Sequence, residues 1–300
     1  MSDASGSGGA GRRALVFGAS GQIGAAVCRR LLAAGWSVDA VSRTPPPRQA
    51  QAPVGLRWRG GGFPEFVADA ACDAVFSCGP LDLFADWYAG CDLAHARVVV
   101  FGSTSADTKQ TAADAGERAL SATLLEAEAK VFDAARRRGA GATVLRPTLV
   151  YGVARDANLS RIAALAEKTG VFVLPRSATG LRQPVHVDDL ATAACAAVDA
   201  AEAAGRVYAL PGGETLPYRE MVARMLDVLP RRPRLWLLPA PLFRMALTAA
   251  HATGRLRGLP AGAVARLGDD LAFDAEPATR DLGYAPRPFR PEAGQFIPVR

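Results

Sequence analysis

Short apolar, β-branched runs alternate along the first half of the chain with longer stretches in which Ala and Leu recur at helical spacing. Ala14–Ser20 reads as a first strand, and Ala25–Gly35 as a helix that Gly35 stops. Ser37–Arg43 is a second strand, and the prolines of Pro45–Pro53, which lack amide donors, make the next stretch a loop. Gly55–Gly60 is a poor third strand; Asp73–Gly79, Arg97–Thr104 and Ala142–Gly152 are strands four, five and six. Strands separated by helical patterns are the signature of βαβ units and a parallel sheet, so the expected fold class is α/β, a doubly wound parallel sheet of the Rossmann kind with a smaller C-terminal lobe.

After Tyr151 the rhythm changes. A helix is predicted around Asn158–Gly170, then a short run Val171–Pro175, then Pro184–Ala201 as a strand running into a helix whose first amides Asp188 or Asp189 caps. Arg206–Leu210 is one more strand; beyond it prolines and isolated helical patterns replace the sheet rhythm, and no internal repeat is present. The organisation predicted is a flexible leader over 1–11, a dinucleotide-binding domain over 12–155 plus 181–212, and a smaller substrate-binding lobe over 156–180 plus 213–300. Such a lobe would lie over the carboxyl ends of the strands, where ligands of open α/β sheets bind.

Composition narrows the function classes. The 300 residues are half hydrophobic and long enough to bury a large core. The Gly/Ser-rich start lacks the apolar region of a secretory signal, which points to a cytoplasmic protein. Five scattered cysteines (Cys28, Cys72, Cys78, Cys91, Cys195) form no C-x-x-C pair, so no disulfide framework and no metal site is expected, and the thiols read as small buried apolar groups. The formal charge of +6 comes from arginine, the only lysines being Lys109, Lys130 and Lys168. The longest basic run, Arg136–Arg138, sits at a helix end where cations complement the dipole, so nucleic acid is not an expected partner. The most apolar segment, 235–254, is interrupted by Pro239, Pro241 and Arg244 and cannot span a bilayer.

The candidate chemistry begins after strand one. Gly18, Gly21 and Gly24 stand between a strand and a helix, the context in which glycines serve a tight turn, close approach of amides to a pyrophosphate, and close helix packing. The residues expected to hold a dinucleotide are Gly18, Ser20, Gly21, Gln22, Ile23 and Gly24, with Ser42, Arg43, Cys78, Gly79 and Pro147 at later strand ends. Strand two ends in Ser42-Arg43, where an acid would be needed to hold the ribose 2′-hydroxyl of NAD; a hydroxyl and a guanidinium suit a 2′-phosphate, which favours NADP over NAD.

These residues resemble the extended branch of the short-chain dehydrogenase/reductase superfamily, the NAD-dependent epimerase/dehydratase group. Gly18–Gly24 resembles its Gly-rich loop, Arg146–Gly152 its strand-six motif, and Arg182–Ala191 its late strand-to-helix element. The resemblance implies a cofactor-dependent oxidoreductase or epimerase acting on a nucleotide-sugar or similar polar metabolite. Asn158-Leu159 and Arg182 occupy the places that hold the substrate diphosphate in sugar-nucleotide members. Thr104 matches the strand-five hydroxyl, while His186 reads as a packed strand residue. A homodimer is one assembly open to the chain. Departures stand beside the matches: Gly60–Gly62 replaces the acid that commonly follows strand three, and Ala106-Asp107-Thr108 replaces a Val-Tyr-Gly.

The largest departure concerns the catalytic pair, a Tyr acting as acid/base and a Lys four residues on. In the stretch Leu124–Lys130, Glu126 and Lys130 have that spacing, and Glu126 would be an altered base with an unperturbed pKa of about 4.3 against about 10 for Tyr. The family places its Tyr about twenty-six residues before the strand-six Arg and an acid four after the Lys; a six-residue shift along a helix moves a group ~9 Å. Counted back from Arg146, the Tyr place falls on Leu120, the Lys place on Leu124 and the acid on Glu128. Leu120, Leu124, Ala127 and Val131 then form an apolar stripe, and Glu126–Lys130 an exposed pair worth about 0.2 to 0.5 kcal/mol. Spacing favours this register; a shortened helix-to-strand connection would restore Lys130 to the site. An intact phosphate loop beside leucines in the catalytic places supports a second function, a non-catalytic NADP(H)-binding sensor or structural subunit.

Overall fold

The computed structural model describes residues 11–46, 53–68, 71–93, 96–156, 158–252 and 266–298. Residues 1–10 of the expected leader and 47–52 of the expected proline loop lie outside the described residues. The central feature is a seven-stranded parallel sheet in which β1 (Arg13–Phe17) lies between β2 (Ser37–Ser42) and β4 (Ala74–Ser77). β3 (Leu56–Gly60) pairs beyond β2 at one edge, and β5 (Arg97–Phe101), β6 (Ala142–Pro147) and β11 (Arg206–Leu210) continue past β4 to the other. The order reverses direction at β1, so a crevice opens at the carboxyl ends of β1 and β4. All seven strands of this sheet were foreseen from the sequence, including the poorly patterned edge strand β3, whereas the strand foreseen at Pro184 pairs outside it.

Alternate residues feed two cores, as the pleat requires. Ala14 and Val16 of β1 pack with α1 (Gln22–Ala33) and α6 (Val187–Asp199) on one face. Leu15 and Phe17 pack with α2 (Leu81–Gly90) and α4 (Ala115–Arg137) on the other, the single turn α3 (Ser105–Thr108) lying between these two along the chain. Phe17 is ringed there by Phe63, Phe66, Phe84 and Trp87, and the Trp87 indole donates to the Phe66 carbonyl at 2.6 Å.

Two expectations are corrected. The sixth strand does not run unbroken to Gly152: it ends at Pro147, bends, and resumes as β7 (Val150–Tyr151), which pairs with β10 (Val185–His186) outside the main sheet. The Val185 amide donates to the Leu149 carbonyl, so a long-range partner draws the chain off the sheet after the proline. The helix after β10 is capped by His186, whose Nδ1 accepts from the Asp188 amide at 3.2 Å, not by Asp188 or Asp189. Asp188 pairs with Arg29, and Asp189 with Arg287.

A third core gathers Tyr151 with residues of α5 (Leu159–Thr169), β8 (Val171–Pro175), α7 (Tyr218–Asp227) and the C-terminal Phe289 and Phe296. Two small ribbons accompany it: β9 (Leu181–Arg182) with β12 (Leu216–Pro217), and β8 with β13 (Arg234–Leu238). A helix, α8 (Ala240–Ala252), follows β13, and α9 (Glu276–Leu282) packs against α6 and β11. No helix among the described residues is long and apolar enough to cross a membrane.

Candidate functional site

The turn after β1 is built for close approach. Gly18 is left-handed at φ +69°, and a Cβ there would lie 2.9 Å from the Cys78 carbonyl, so the end of β1 abuts Cys78-Gly79 at the end of β4. Gly24 is tighter still: a Cβ would fall 2.2 Å from the Gly18 oxygen, which lets α1 begin directly above the turn. Gly21 precedes the helix, no side chain caps it, and its first turn carries no acid. Free amides and the positive helix end thus face the crevice, and an anionic pyrophosphate fits them. Gln22 adds a buried side-chain oxygen with no partner beside the same turn. Ile23 is partly buried and packs into the first core, so it holds the helix in place.

Beside the turn, the Ser20 and Ser42 hydroxyls meet at 2.8 Å, and Ser42 also accepts from the Thr44 amide at 3.2 Å. Arg43 follows, exposed, with its Cγ 3.0 Å from where a Gly62 Cβ would stand. Gly60–Gly62, which replaces the family's acid, lines a shallow pocket with Arg59, Glu65 and Phe66 at this end of the crevice. No carboxylate ends β2: its one acid, Asp39, lies nearer the opposite end of the strand between Arg13 and Arg57.

The register of α4 is decided by a buried ion network. Arg146 on β6 donates from Nε to Glu128 at 2.9 Å, donates from Nη2 to the second Glu128 oxygen, and reaches Asp107 from Nη1 at 2.7 Å. Burial disfavours the guanidinium's charge, but the bonds to Glu128 and Asp107 outweigh that and raise its pKa. Gly102 makes room, since a Cβ there would meet Glu128 at 2.9 Å. The acid counted from Arg146 is therefore the one Arg146 holds. Glu126 and Lys130 are both exposed, and Lys130 pairs with Asp86 on α2 rather than with Glu126, which corrects the expected intrahelical pair. The apolar stripe is also shorter than expected. Leu124, Ala127 and Val131 join the second core, whereas Leu120 is 43% exposed, beyond the reach of that core.

The helix α4 carries no tyrosine, and Lys130 is its one lysine. All five tyrosines (Tyr88, Tyr151, Tyr208, Tyr218, Tyr284) have pKa values raised, burial being the first cause in each. Lys168 ends α5, and Lys109 lies 3.6 Å from Glu117, which also pairs with Arg266. Thr104 is buried at the carboxyl end of β5, where its hydroxyl donates to the Pro147 carbonyl at 3.3 Å. This joins the strand-five hydroxyl to the end of β6, two positions predicted to face the cofactor.

The residues expected to meet a substrate have protein partners of their own. Leu159 is fully buried in the third core. Asn158 precedes α5, yet the carboxylate that caps the helix is Asp156, which accepts from the Asn158 amide at 3.0 Å and the Ser160 amide at 3.1 Å. Arg182 is buried, lies 5.3 Å above the Tyr218 ring, and donates to the carbonyls of Leu181, Asp269 and Arg266. Asp156 was legible as a capping acid ahead of α5. Its neighbour Arg155 carried no local signal. It comes from the loop after β7 and donates from Nη1 to the Ser20 carbonyl at 2.9 Å, across 135 residues of sequence. Ala154 before it is left-handed at φ +55°, a conformation that costs a non-glycine residue about 1 to 2 kcal/mol.

Among the described residues no group of three or more His, Cys, Asp or Glu side chains is placed to hold a metal. Cys28 is buried and the other four cysteines are half-buried; desolvation pushes Cys28 up to about 12, and Cys72 and Cys195 to about 11.

Comparison with known proteins agrees with the crevice. Residues 14–87 match the model of the NAD dependent epimerase/dehydratase family. Over 151 residues, 48% of this chain and 45% of the relative, the sequence is 26% identical to an uncharacterized protein, YbjS, of Escherichia coli (strain K12). Over 161 residues, 54% of this chain and 47% of the relative, it is 27% identical to UDP-glucose 4-epimerase of Vibrio cholerae. The matched stretches thus span about half the length of these relatives. The fold is shared with MoeE5, solved with UDP-glucose and NAD, at a TM-score of 0.65 and 21% identity over 92% of this chain and 93% of that one. The resemblance to the epimerase/dehydratase group read from the sequence is borne out by the family match and by the fold.

Proposed function

We propose that the protein binds a nicotinamide dinucleotide across the carboxyl ends of β1 and β4, NADP(H) in preference to NAD(H), and acts through it as an oxidoreductase or epimerase on a nucleotide-sugar or similar polar metabolite. The observation that carries the cofactor reading is the glycine cradle at the sheet's switch point, where Gly18 and Gly24 leave no room for a Cβ and α1 opens without a competing acid. When bound, the nicotinamide gives or takes hydride. The preference for a 2′-phosphate rests on the end of β2, where Ser42 and Arg43 stand without a carboxylate. In this reading the free amides of the first turn of α1 hold the pyrophosphate, and Thr104 is the polar group beside the reacting ring, oriented by the Pro147 carbonyl.

The relatives' ligands suggest the substrate class, and the cleft narrows it. A diphosphate at Asn158 and Arg182 would have to displace the Asp156 carboxylate and three backbone carbonyls. A polar substrate without a diphosphate at that place needs no such exchange. The second reading, an NADP(H)-binding sensor or structural subunit without turnover, is supported by one observation: the bond from Arg146 to Glu128 agrees with the register in which Leu120 and Leu124 are counted into the places of the catalytic pair.

Thermal shift with NADP, NADPH, NAD, NADH and a panel of sugar nucleotides and carbonyl compounds tests both readings, followed by a hydride-exchange assay on wild type and Thr104→Ala. The enzyme reading expects exchange with some panel member, lost in Thr104→Ala. Cofactor binding with no exchange across the panel overturns it, and equal affinity for oxidised and reduced cofactor then overturns the sensor reading.

A further inference from the structure

We infer that Arg155 is a cofactor-binding residue that reads the 2′-phosphate of NADP(H), brought to the phosphate loop by a fixed strap, residues 152–156. The inference rests on the NADP(H) reading above and adds to it a guanidinium from a distant part of the chain. Arg155 is exposed and uses Nη1 on the Ser20 carbonyl at 2.9 Å, one of its five N–H donors. Ser20 in turn joins Ser42 through their hydroxyls at 2.8 Å, and Arg43 follows Ser42. The guanidinium therefore stands on the very residue whose hydroxyl meets that of Ser42 at the end of β2. A phosphate seated on those hydroxyls lies within the swing of a long, planar side chain suited to bidentate phosphate contact.

The strap is held from both sides. Gly152, at φ +138°, leaves no room for a Cβ, which would stand 2.8 Å from the His186 ring and 2.9 Å from Val187. The Ala154 amide donates to the Gln295 carbonyl at 2.7 Å, and Asp156 is anchored on the first turn of α5. Left-handed Ala154 between these anchors directs the next side chain back over the phosphate loop. Strain of this kind, in a segment tied at each end, accords with a positioned binding residue more than with a free surface arginine.

The test is isothermal titration calorimetry of wild type, Arg155→Ala and Arg155→Lys with NADPH, NADH, 2′,5′-ADP and 5′-AMP, with thermal midpoints as a check on folding. Wild type should bind NADPH and 2′,5′-ADP more tightly than NADH and 5′-AMP. Arg155→Ala should weaken the two 2′-phosphorylated ligands about ten- to hundredfold, the loss expected for one charge-assisted bond, and change the other two less than about threefold. Arg155→Lys should fall between. A preference for NADPH that survives intact in Arg155→Ala overturns the inference alone. So does an equal loss for NADPH and NADH, which would place Arg155 on the pyrophosphate. Wild type without any preference for the 2′-phosphate overturns the NADP(H) reading together with the role of Arg155.

Discussion

Replacing Glu128 with Ala would remove the main counter-charge of a buried arginine. The Glu128 side chain is 5% exposed and that of Arg146 is 11% exposed, so water cannot take over the lost bonds. Breaking a buried ion pair by deleting one partner costs about 3 to 5 kcal/mol. Arg146 keeps Asp107, whose side chain is 52% exposed and whose attraction is weakened by solvent, so the lower end, about 3 kcal/mol, applies here. At roughly 2 to 4 °C per kcal/mol, the melting midpoint should fall by about 6 to 12 °C. The double variant Glu128→Leu with Arg146→Met removes both charges and should recover to within about 1 kcal/mol of wild type, because it leaves no buried ion alone. Urea unfolding of the three proteins measures these differences directly. A fall of less than about 2 °C in Glu128→Ala, or a double variant no more stable than the single one, would refute the reasoning. More than stability is at stake. Glu128 ties α4 to the end of β6, and Leu124 and Leu120 stand one and two turns before it on that helix.

Gly24→Ala should abolish measurable NADPH binding, because a Cβ 2.2 Å from the Gly18 oxygen must push the loop off the helix; titration at wild-type-like affinity would contradict this. Thiol reagents at pH 8 should leave the native protein almost unlabelled. Desolvation holds Cys28 at about 12 and Cys72 and Cys195 at about 11, and burial likewise raises Cys78 and Cys91, so the thiolates form only at higher pH or on unfolding. Rapid labelling of any cysteine by DTNB would show otherwise. His186 has its pKa lowered, first by burial and then by Arg287. The unfolded chain then binds the proton more readily, so stability from the neutral ring is present above about pH 6.5 and is lost as pH falls towards the lower folded value. His186→Gln should flatten the drop in melting midpoint between pH 7.5 and 5; an unchanged drop would assign it to other groups.

Much of the fold was legible because its signals are local. Alternating apolar runs marked all seven strands of the sheet, and glycines between β1 and α1 marked the phosphate turn, where backbone geometry itself demands the residue type. The spacing that the family resemblance implies, counted back from Arg146, singled out Glu128, and Arg146 holds that residue. The corrections arise where a partner far along the chain competes with a local one. Lys130 has a neighbour at i−4 but finds Asp86 across the interface of α2 and α4. His186, not either aspartate, caps α6, because Arg29 and Arg287 draw the carboxylates away. The sixth strand leaves the sheet after Pro147 because β10 offers it pairing.

The sequence by itself determined the sheet and the tight glycine turn after β1, since period and glycine spacing are both written along the chain. Only the tertiary structure decided which charges meet in the crevice. Arg182 on the carbonyls of Asp269 and Arg266 and Arg155 on that of Ser20 are contacts between segments that folding alone brings together. A side chain's bonding capacity can be read from its formula; which groups take that capacity up depends on the distances that packing sets.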